Sequence, residues 1–119
     1  MKVAVSSTGT TLESAVDPRF GRARHFILFD TETGQVQAID NVQSLNSAQG
    51  AGIQSAETLS RSGARWVITG HCGPKAFRTL QAAGVQVVVG FEGTVREAVE
   101  RFQAGGLRPS QAADVEGHW

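Results

Sequence analysis

The feature that most constrains the fold is a set of short apolar runs that are separated by helical and glycine-rich segments. The runs occupy residues 3–5, 66–68 and 85–89, and β-branched residues dominate them. Polar residues hardly interrupt these runs, as is typical of parallel strands that are covered on both faces. The sequence therefore predicts buried parallel strands at the centre of an α/β protein.

Helical periodicity is present in the segments between and after these strands. Apolar residues recur at helical spacing within residues 74–83, and Gly84 follows as a stop. Residues 94–97, Thr-Val-Arg-Glu, match a capping box, and the apolar positions behind them repeat up to Phe102. Apolar residues recur at helical spacing less regularly within residues 53–59, and Gly63 follows as a stop. These patterns predict a helix before the second run, one after it and one after the third.

A hairpin completes the predicted architecture. Residues 25–30 and 35–42 are interpreted as two antiparallel strands, because the short turn 31–34 that joins them ends in glycine. The order becomes β-β-β-α-β-α-β-α, which gives a mixed five-stranded sheet with helices on both faces. A chain of 119 residues suits one such domain, and we expect it to span residues 1–106. Residues 107–119 show no period and are expected to form a loose tail.

Composition limits the classes of partner. Lys+Arg and Asp+Glu each number 11, so net charge gives no general attraction to nucleic acid or membrane. No basic face with interleaved aromatic residues favours single-stranded nucleic acid. No apolar run approaches the roughly 20 residues that span a bilayer. The single cysteine cannot form an intramolecular disulfide, so we expect a reducing, cytoplasmic setting.

Glycine-rich turns follow all of the apolar runs. They lie at residues 6–9, 70–73 and 90–93, and ligands of open α/β sheets collect beyond the carboxyl ends of parallel strands. Glycine allows a backbone to approach a ligand closely, and the free N–H groups of a helix N-terminus favour anions. The three turns together favour a binding site for an anion.

Cations support the same prediction. The segment DPRFGRAR supplies Arg19, Arg22 and Arg24, and Lys75 lies in a first helical turn, where the helix dipole disfavours a positive charge unless an anion is bound there. One cysteine and one adjacent histidine cannot complete a tetrahedral zinc site. An anionic cluster that brings its own ligands needs less from the protein, with His71 and Cys72 at the edge of the pocket.

Two alternatives remain open from the residues alone. The first alternative is a cysteine-dependent phosphatase-like enzyme. Cys72, which follows His71, is separated from Arg78 by five residues, and this is the Cys-x5-Arg spacing of such phosphatases. Pro74 has no N–H to offer a phosphate, and Arg78 falls about one turn into the helix. The other alternative is a regulatory module whose hairpin or tail contacts an unidentified protein partner.

Long ordered stretches of the chain resemble the nitrogenase iron–molybdenum-cofactor biosynthesis family. They are DPRFGRARHFILFD, GAGIQSAETLSRSGARWVITGHCGPKAF and LQAAGVQVVVGFEGTVREAVERFQAGGL. The resemblance covers nearly the whole chain. It implies a ribonuclease-H-like α/β fold and non-enzymatic binding or carriage of a metal–sulfur cluster.

Within that family the chain is similar to single-domain members that carry an anionic mixed molybdenum–copper sulfide cluster. The resemblance thus implies such a cargo, or a related molybdenum or iron–sulfur cluster. It places binding on residues in three segments, with Cys72 as a possible metal contact: Arg19, Gly21, Arg22, Gly50, Gly52, Gly70, His71, Gly73 and Lys75.

Overall fold

The computed structural model describes residues 1–41 and 50–114. In chain order the elements are β1 (Lys2–Ser7), β2 (His25–Asp30), β3 (Val36–Asp40), α1 (Ala51–Arg61), β4 (Ala64–Ile68), α2 (Pro74–Ala82), β5 (Gln86–Val88) and α3 (Val95–Gln103). This order confirms the one predicted from the sequence. Two strands are shorter than predicted: β5 ends before Val89, and β3 ends at Asp40, while position 42 lies outside the described residues.

The five strands form one mixed sheet in the order β3-β2-β1-β4-β5. β1 pairs with β4 and β4 with β5 in parallel, whereas β1 with β2 and β2 with β3 are antiparallel. The apolar runs predicted to be parallel are therefore the three adjacent strands β1, β4 and β5. The β2–β3 hairpin forms the other side of the sheet, with β2 buried and the exposed strand β3 at the edge.

Helices cover both faces of the sheet, as the uninterrupted apolar strands require. Alternate residues of β2 show the division, since Phe26 and Leu28 belong to one buried cluster and Ile27 and Phe29 to the other. Leu59 of α1 and both Phe77 and Leu80 of α2 complete the first cluster. Val95, Ala98 and Val99 of α3 complete the second. The mixed three-layer α/β fold predicted from the sequence is confirmed.

The capping box of α3 forms as predicted. Thr94 Oγ1 accepts a hydrogen bond from Glu97 N at 3.1 Å, and Thr94 N donates to Glu97 Oε1 at 2.8 Å. The contact also lowers the pKa of Glu97, because the carboxylate accepts hydrogen bonds from the Thr94 backbone and side chain. The local sequence is therefore enough to define the start of this helix.

The segment from Leu107 to Asp114 makes specific contacts in the place of the expected loose tail. Leu107 packs against one apolar cluster and Ala113 against the other. Ser110 N donates to Val87 O at 2.6 Å, and Ser110 Oγ accepts from Val89 N at 3.2 Å. This part of the chain therefore lies against β5, the edge strand opposite β3. Among the residues that the structure describes, no helix is long and apolar enough to cross a membrane.

Candidate anion-binding site

The candidate site lies beyond the carboxyl ends of β1 and β4. The chain leaves β1 toward β2 and β3 and returns on the other side of β1 as β4. Strand order thus reverses between β1 and β4, which is where open α/β sheets bind ligands. Two loops meet at this point: residues 17–24, here called the arginine loop, and residues 69–73, here called the β4–α2 turn.

Buried polar groups fix the start of the arginine loop. Asp17 is 2% exposed, and its Oδ1 accepts a hydrogen bond from Arg19 N at 3.0 Å. Asp17 N donates to Ser6 O at 2.9 Å, and Ser6 Oγ donates to Asp17 O at 2.8 Å. Burying these polar groups is tolerable because each has a partner. The end of β1 therefore holds the arginine loop in a defined position.

The arginine loop pairs with the β4–α2 turn. Phe20 N donates to His71 O at 3.0 Å, and Arg19 and His71 form an isolated parallel bridge. Gly70 makes this approach possible, because a Cβ on it would lie 2.7 Å from Pro18 Cα. The two predicted segments, DPRFGRAR and TGHCGPKAF, thus form one continuous surface.

The arginine loop also contacts the first turn of α1. A Cβ on Gly21 would lie 2.7 Å from Gly52 Cα, so two backbones meet there with no room for a side chain. Asn41 Nδ2 donates to Ala23 O at 2.8 Å, and Asn41 Oδ1 accepts from Ser55 Oγ at 3.1 Å. This buried pair holds the far end of the arginine loop against α1.

The N-termini of α1 and α2 converge at the same place. Their N-cap residues are Gly50 and Gly73, so neither N-cap residue has a side chain to accept from the first turn, and neither first turn contains an acidic residue. The first turns are close, since a Cβ on Gly52 would lie 3.1 Å from Ala76 Cβ. N–H groups and dipoles at such ends favour a bound anion.

The predicted cations lie on the segments that meet here, with three arginines in the arginine loop and Lys75 in the first turn of α2. Arg19, Arg24 and Lys75 are exposed, and Arg22 is partly buried. Arg19 Nε lies 3.9 Å from Asp17 Oδ1, a long ion-pair distance for an exposed guanidinium. The structure thus brings the arginine loop, the start of α1 and the start of α2 together, and these are the three segments that contain the predicted site residues.

Cys72 points away from this surface. Its side chain is fully buried in the apolar cluster beneath α1 and α2. Burial, with a smaller contribution from the Asp114 charge, raises the pKa of Cys72 to about 12. The thiol is therefore protonated at neutral pH. Within residues 1–41 and 50–114, no group of three or more His, Cys, Asp or Glu side chains could hold a metal ion.

Asp114 lies at the β4–α2 turn, although no sequence pattern predicted it there. Its Oδ1 accepts from Cys72 N at 2.9 Å, and its Oδ2 lies 2.8 Å from His71 Nδ1. Asp114 N also donates to Cys72 O at 3.3 Å. A carboxylate thus lies at the start of α2, beside the predicted binding residues.

The other two glycine turns make different contacts. Val16 N donates to Gly93 O and Val95 N donates to Ser14 O, so the loop after β1 and the start of α3 are bonded to each other. Gly90 N donates to Gly70 O at 2.6 Å, which continues the β4–β5 pairing. Among the contacts described, the arginine loop is bonded to Ser6, where the first of these turns begins, and to His71 in the turn at residues 70–73.

Comparison with known proteins identifies the family. The model of the family described as "Dinitrogenase iron-molybdenum cofactor" matches residues 1–105. The chain belongs to this family. Its fold is similar to that of the apo form of the orange protein from Desulfovibrio gigas, with a TM-score of 0.93 and 43% identity over 96% of each chain.

Two other proteins are similar to this chain over most of its length. The NMR structure of the Thermotoga protein TM1290 has a TM-score of 0.83 and 39% identity over 98% of each chain. The Methanocaldococcus jannaschii protein MJ0580 is 26% identical over 109 residues, which cover 90% of this chain and 89% of that protein. The family match over residues 1–105 includes the arginine loop, both helix starts and the β4–α2 turn.

Proposed function

We propose that this protein binds and carries an anionic metal–sulfide cluster beyond the carboxyl ends of β1 and β4. The observation that carries the proposal is the convergence of two glycine-capped helix N-termini on a loop that is rich in arginine. α3, whose start lies on the other face of the sheet, has a complete capping box and an acidic residue in its first turn. The starts of α1 and α2 have neither, so their N–H groups and dipoles are suited to an external anion.

A metal–sulfide cluster suits this surface because it supplies its own sulfide ligands. The protein then needs to provide positive charge and hydrogen-bond donors, and no set of metal-ligating side chains. Arg19, Arg22 and Lys75 would provide the charge. Backbone N–H groups of the turns 50–52 and 70–73 would provide hydrogen bonds, as in other anion-binding helix starts and backbone nests.

The cargo that we propose is a molybdenum-containing cluster, most specifically a mixed molybdenum–copper sulfide. This choice rests on the family to which the chain belongs and on its similarity to the orange protein. The role would be carriage in a reducing cytoplasm and delivery to a protein that is not yet identified. His71 would lie at the edge of the bound cluster.

The geometry of Cys72 does not favour the phosphotransfer alternative. That mechanism needs an exposed thiolate with a lowered pKa, whereas burial raises the pKa of Cys72 to about 12. The same burial disfavours a direct bond between Cys72 and a metal. Pro74 begins α2 as its first residue, and Arg78 lies within the helix. Charge and backbone hydrogen bonds therefore remain the proposed means of binding.

The test of this site is the uptake of tetrathiomolybdate by a double variant, Arg22→Ala with Lys75→Ala. We expect its affinity, measured by equilibrium dialysis, to fall at least about tenfold, because each 1.4 kcal/mol of lost interaction is a factor of about ten. The matched control is Arg61→Ala with Arg65→Ala. These two exposed arginines lie at the end of α1 and near the start of β4. They are thus at the end of β4 opposite to the candidate site.

The control variant removes the same net charge and should bind tetrathiomolybdate as the wild type does. Equal losses in both double variants would show that binding follows total charge only. Unchanged uptake in the Arg22 and Lys75 variant would remove these residues from the site.

A further inference from the structure

We propose that Asp114 is a built-in competitor for the anion-binding site, so that the cargo binds by displacing the end of the segment 107–114. This inference rests on the proposed function and deepens it. The side chain of Asp114 is an anion, and it already accepts a hydrogen bond from a backbone N–H beside the start of α2. The Asp114 carboxylate thus occupies a position that part of an anionic cargo would take.

The contacts of Asp114 are those that an external anion at this turn would use. Oδ1 accepts from Cys72 N at 2.9 Å, two residues before Pro74 begins α2. Oδ2 lies 2.8 Å from His71 Nδ1. One carboxylate therefore contacts both a backbone donor and a side chain of the β4–α2 turn, and an anion cannot take those positions while Asp114 holds them.

Exposure indicates that this contact can open without loss of the core. The side chain of His71 is 42% exposed and that of Asp114 is 27% exposed. A partly exposed pair of this kind contributes little to stability, since water competes for both groups. Displacement of Asp114 would leave the sheet and the buried residues of both apolar clusters in place, since the adjacent Ala113 is only partly buried against its cluster.

The segment 107–114 connects Asp114 to a stable anchor. Leu107 packs against one apolar cluster, and Ser110 bonds to both Val87 and Val89. Asp114 is therefore held close to the β4–α2 turn, at a high effective concentration. Competition by Asp114 lowers the apparent affinity of every anion that needs these positions by the same factor. A weakly bound anion such as phosphate would then be largely excluded, whereas a large, highly charged cluster that also contacts the arginine loop and α1 would keep enough affinity to bind.

The experiment compares tetrathiomolybdate binding to the wild type, Asp114→Ala, Asp114→Asn and the control Glu57→Gln. Glu57 is exposed on α1, and its substitution removes the same charge as Asp114→Asn. Removal of a competing internal group raises apparent affinity by the reciprocal of the open fraction, so we expect about three- to tenfold tighter binding in Asp114→Ala. Asp114→Asn, which retains an acceptor oxygen, should show a smaller gain, and Glu57→Gln should match the wild type.

Amide hydrogen exchange supplies a second readout. Without ligand, the Cys72 amide should exchange faster in Asp114→Ala than in Glu57→Gln. Tetrathiomolybdate added to the wild type should accelerate exchange at the Asp114 amide, which donates to Cys72 O in the ligand-free structure.

The outcomes separate this inference from the proposed function. Equal affinity in all four proteins, or weaker binding in the Asp114 variants, would overturn the competition and leave cluster binding in place. If none of the four proteins bound tetrathiomolybdate, the proposed function would fail, and the competition would fail with it.

Discussion

At the scale of single residues, the β4–α2 turn places chemically different groups on opposite sides of one backbone. The side chain of His71 faces solvent and lies against Asp114, whereas the next side chain, Cys72, is fully buried. The backbone N–H of Cys72 nevertheless faces Asp114. One residue thus contributes its thiol to the core and its amide to the candidate site.

Cys72 should be almost inert toward alkylating reagents in the folded protein. Burial raises the pKa of Cys72 to about 12, and the thiolate is the reactive form. We expect iodoacetamide at pH 8 to modify the folded protein at least about a hundredfold more slowly than the protein in denaturant. Mass spectrometry gives both rates without ambiguity because the chain has one cysteine.

The denatured protein is the control for reagent quality, since its thiol should react as an ordinary exposed cysteine does. Rapid modification of the folded protein would contradict the buried position. It would also restore Cys72 as a candidate nucleophile or ligand.

Sequence and structure agree unevenly at this scale. The sequence alone indicated Arg19, Arg22 and Lys75 as candidate cations, because positive charges in turns can be recognised without knowledge of their contacts, and their role in binding stays a prediction. The direction of the Cys72 side chain could not be predicted, because Gly70 and Gly73 interrupt any periodicity that would indicate which face it lies on. Asp17 carried a weak signal, since an aspartate before proline often begins a turn. Asp114 carried none.

At the scale of elements, the site depends on how closely separate segments approach one another. Gly21 meets Gly52 at the start of α1, Gly70 meets Pro18, and the first turns of α1 and α2 are in contact. The helices and strands themselves follow from local patterns such as the Thr94–Glu97 capping box. These close backbone contacts do not follow from local patterns, because each one brings together two segments that are distant in the sequence. A glycine that is needed for such a contact cannot be distinguished in the sequence from a glycine that only forms a turn.

Gly21→Ala should disturb both the stability of the protein and the binding site. The new Cβ would meet Gly52 Cα at 2.7 Å and Gly52 N at 2.8 Å, and backbone atoms cannot move as a flexible side chain can. We expect a loss of about 1–3 kcal/mol in the free energy of unfolding, as for other overpacked sites. Tetrathiomolybdate uptake should also weaken, because the arginine loop is pushed away from α1.

Thr94→Ala is the matched control for stability alone. Removal of the N-cap side chain of α3 should cost about 1 kcal/mol, which denaturant unfolding can measure, while the described hydrogen bonds of the Thr94 side chain are made with Glu97 and not with the arginine loop. Uptake should therefore match that of the wild type. Wild-type uptake by Gly21→Ala would show that contact between the arginine loop and α1 is not needed for binding.

At the scale of the whole molecule, the fold supplies a five-stranded sheet whose β5 edge is contacted by the segment 107–114. The element order and the mixed topology followed from hydrophobic patterning, because strands buried on both faces and amphipathic helices leave few arrangements that cover every apolar surface. The position of residues 107–114 against β5 did not follow, since polar residues without periodicity carry no information about what they contact. That segment links the edge of the sheet to the candidate site.

The proposed function depends on the uptake of a metal–sulfide cluster at this site. The most direct measurement is to mix metal-free protein with tetrathiomolybdate and a copper salt, remove unbound metal by gel filtration, and record the absorption spectrum with elemental analysis. We predict visible charge-transfer bands that co-elute with the protein together with both molybdenum and copper. A colourless protein that retains neither metal would contradict the proposed function.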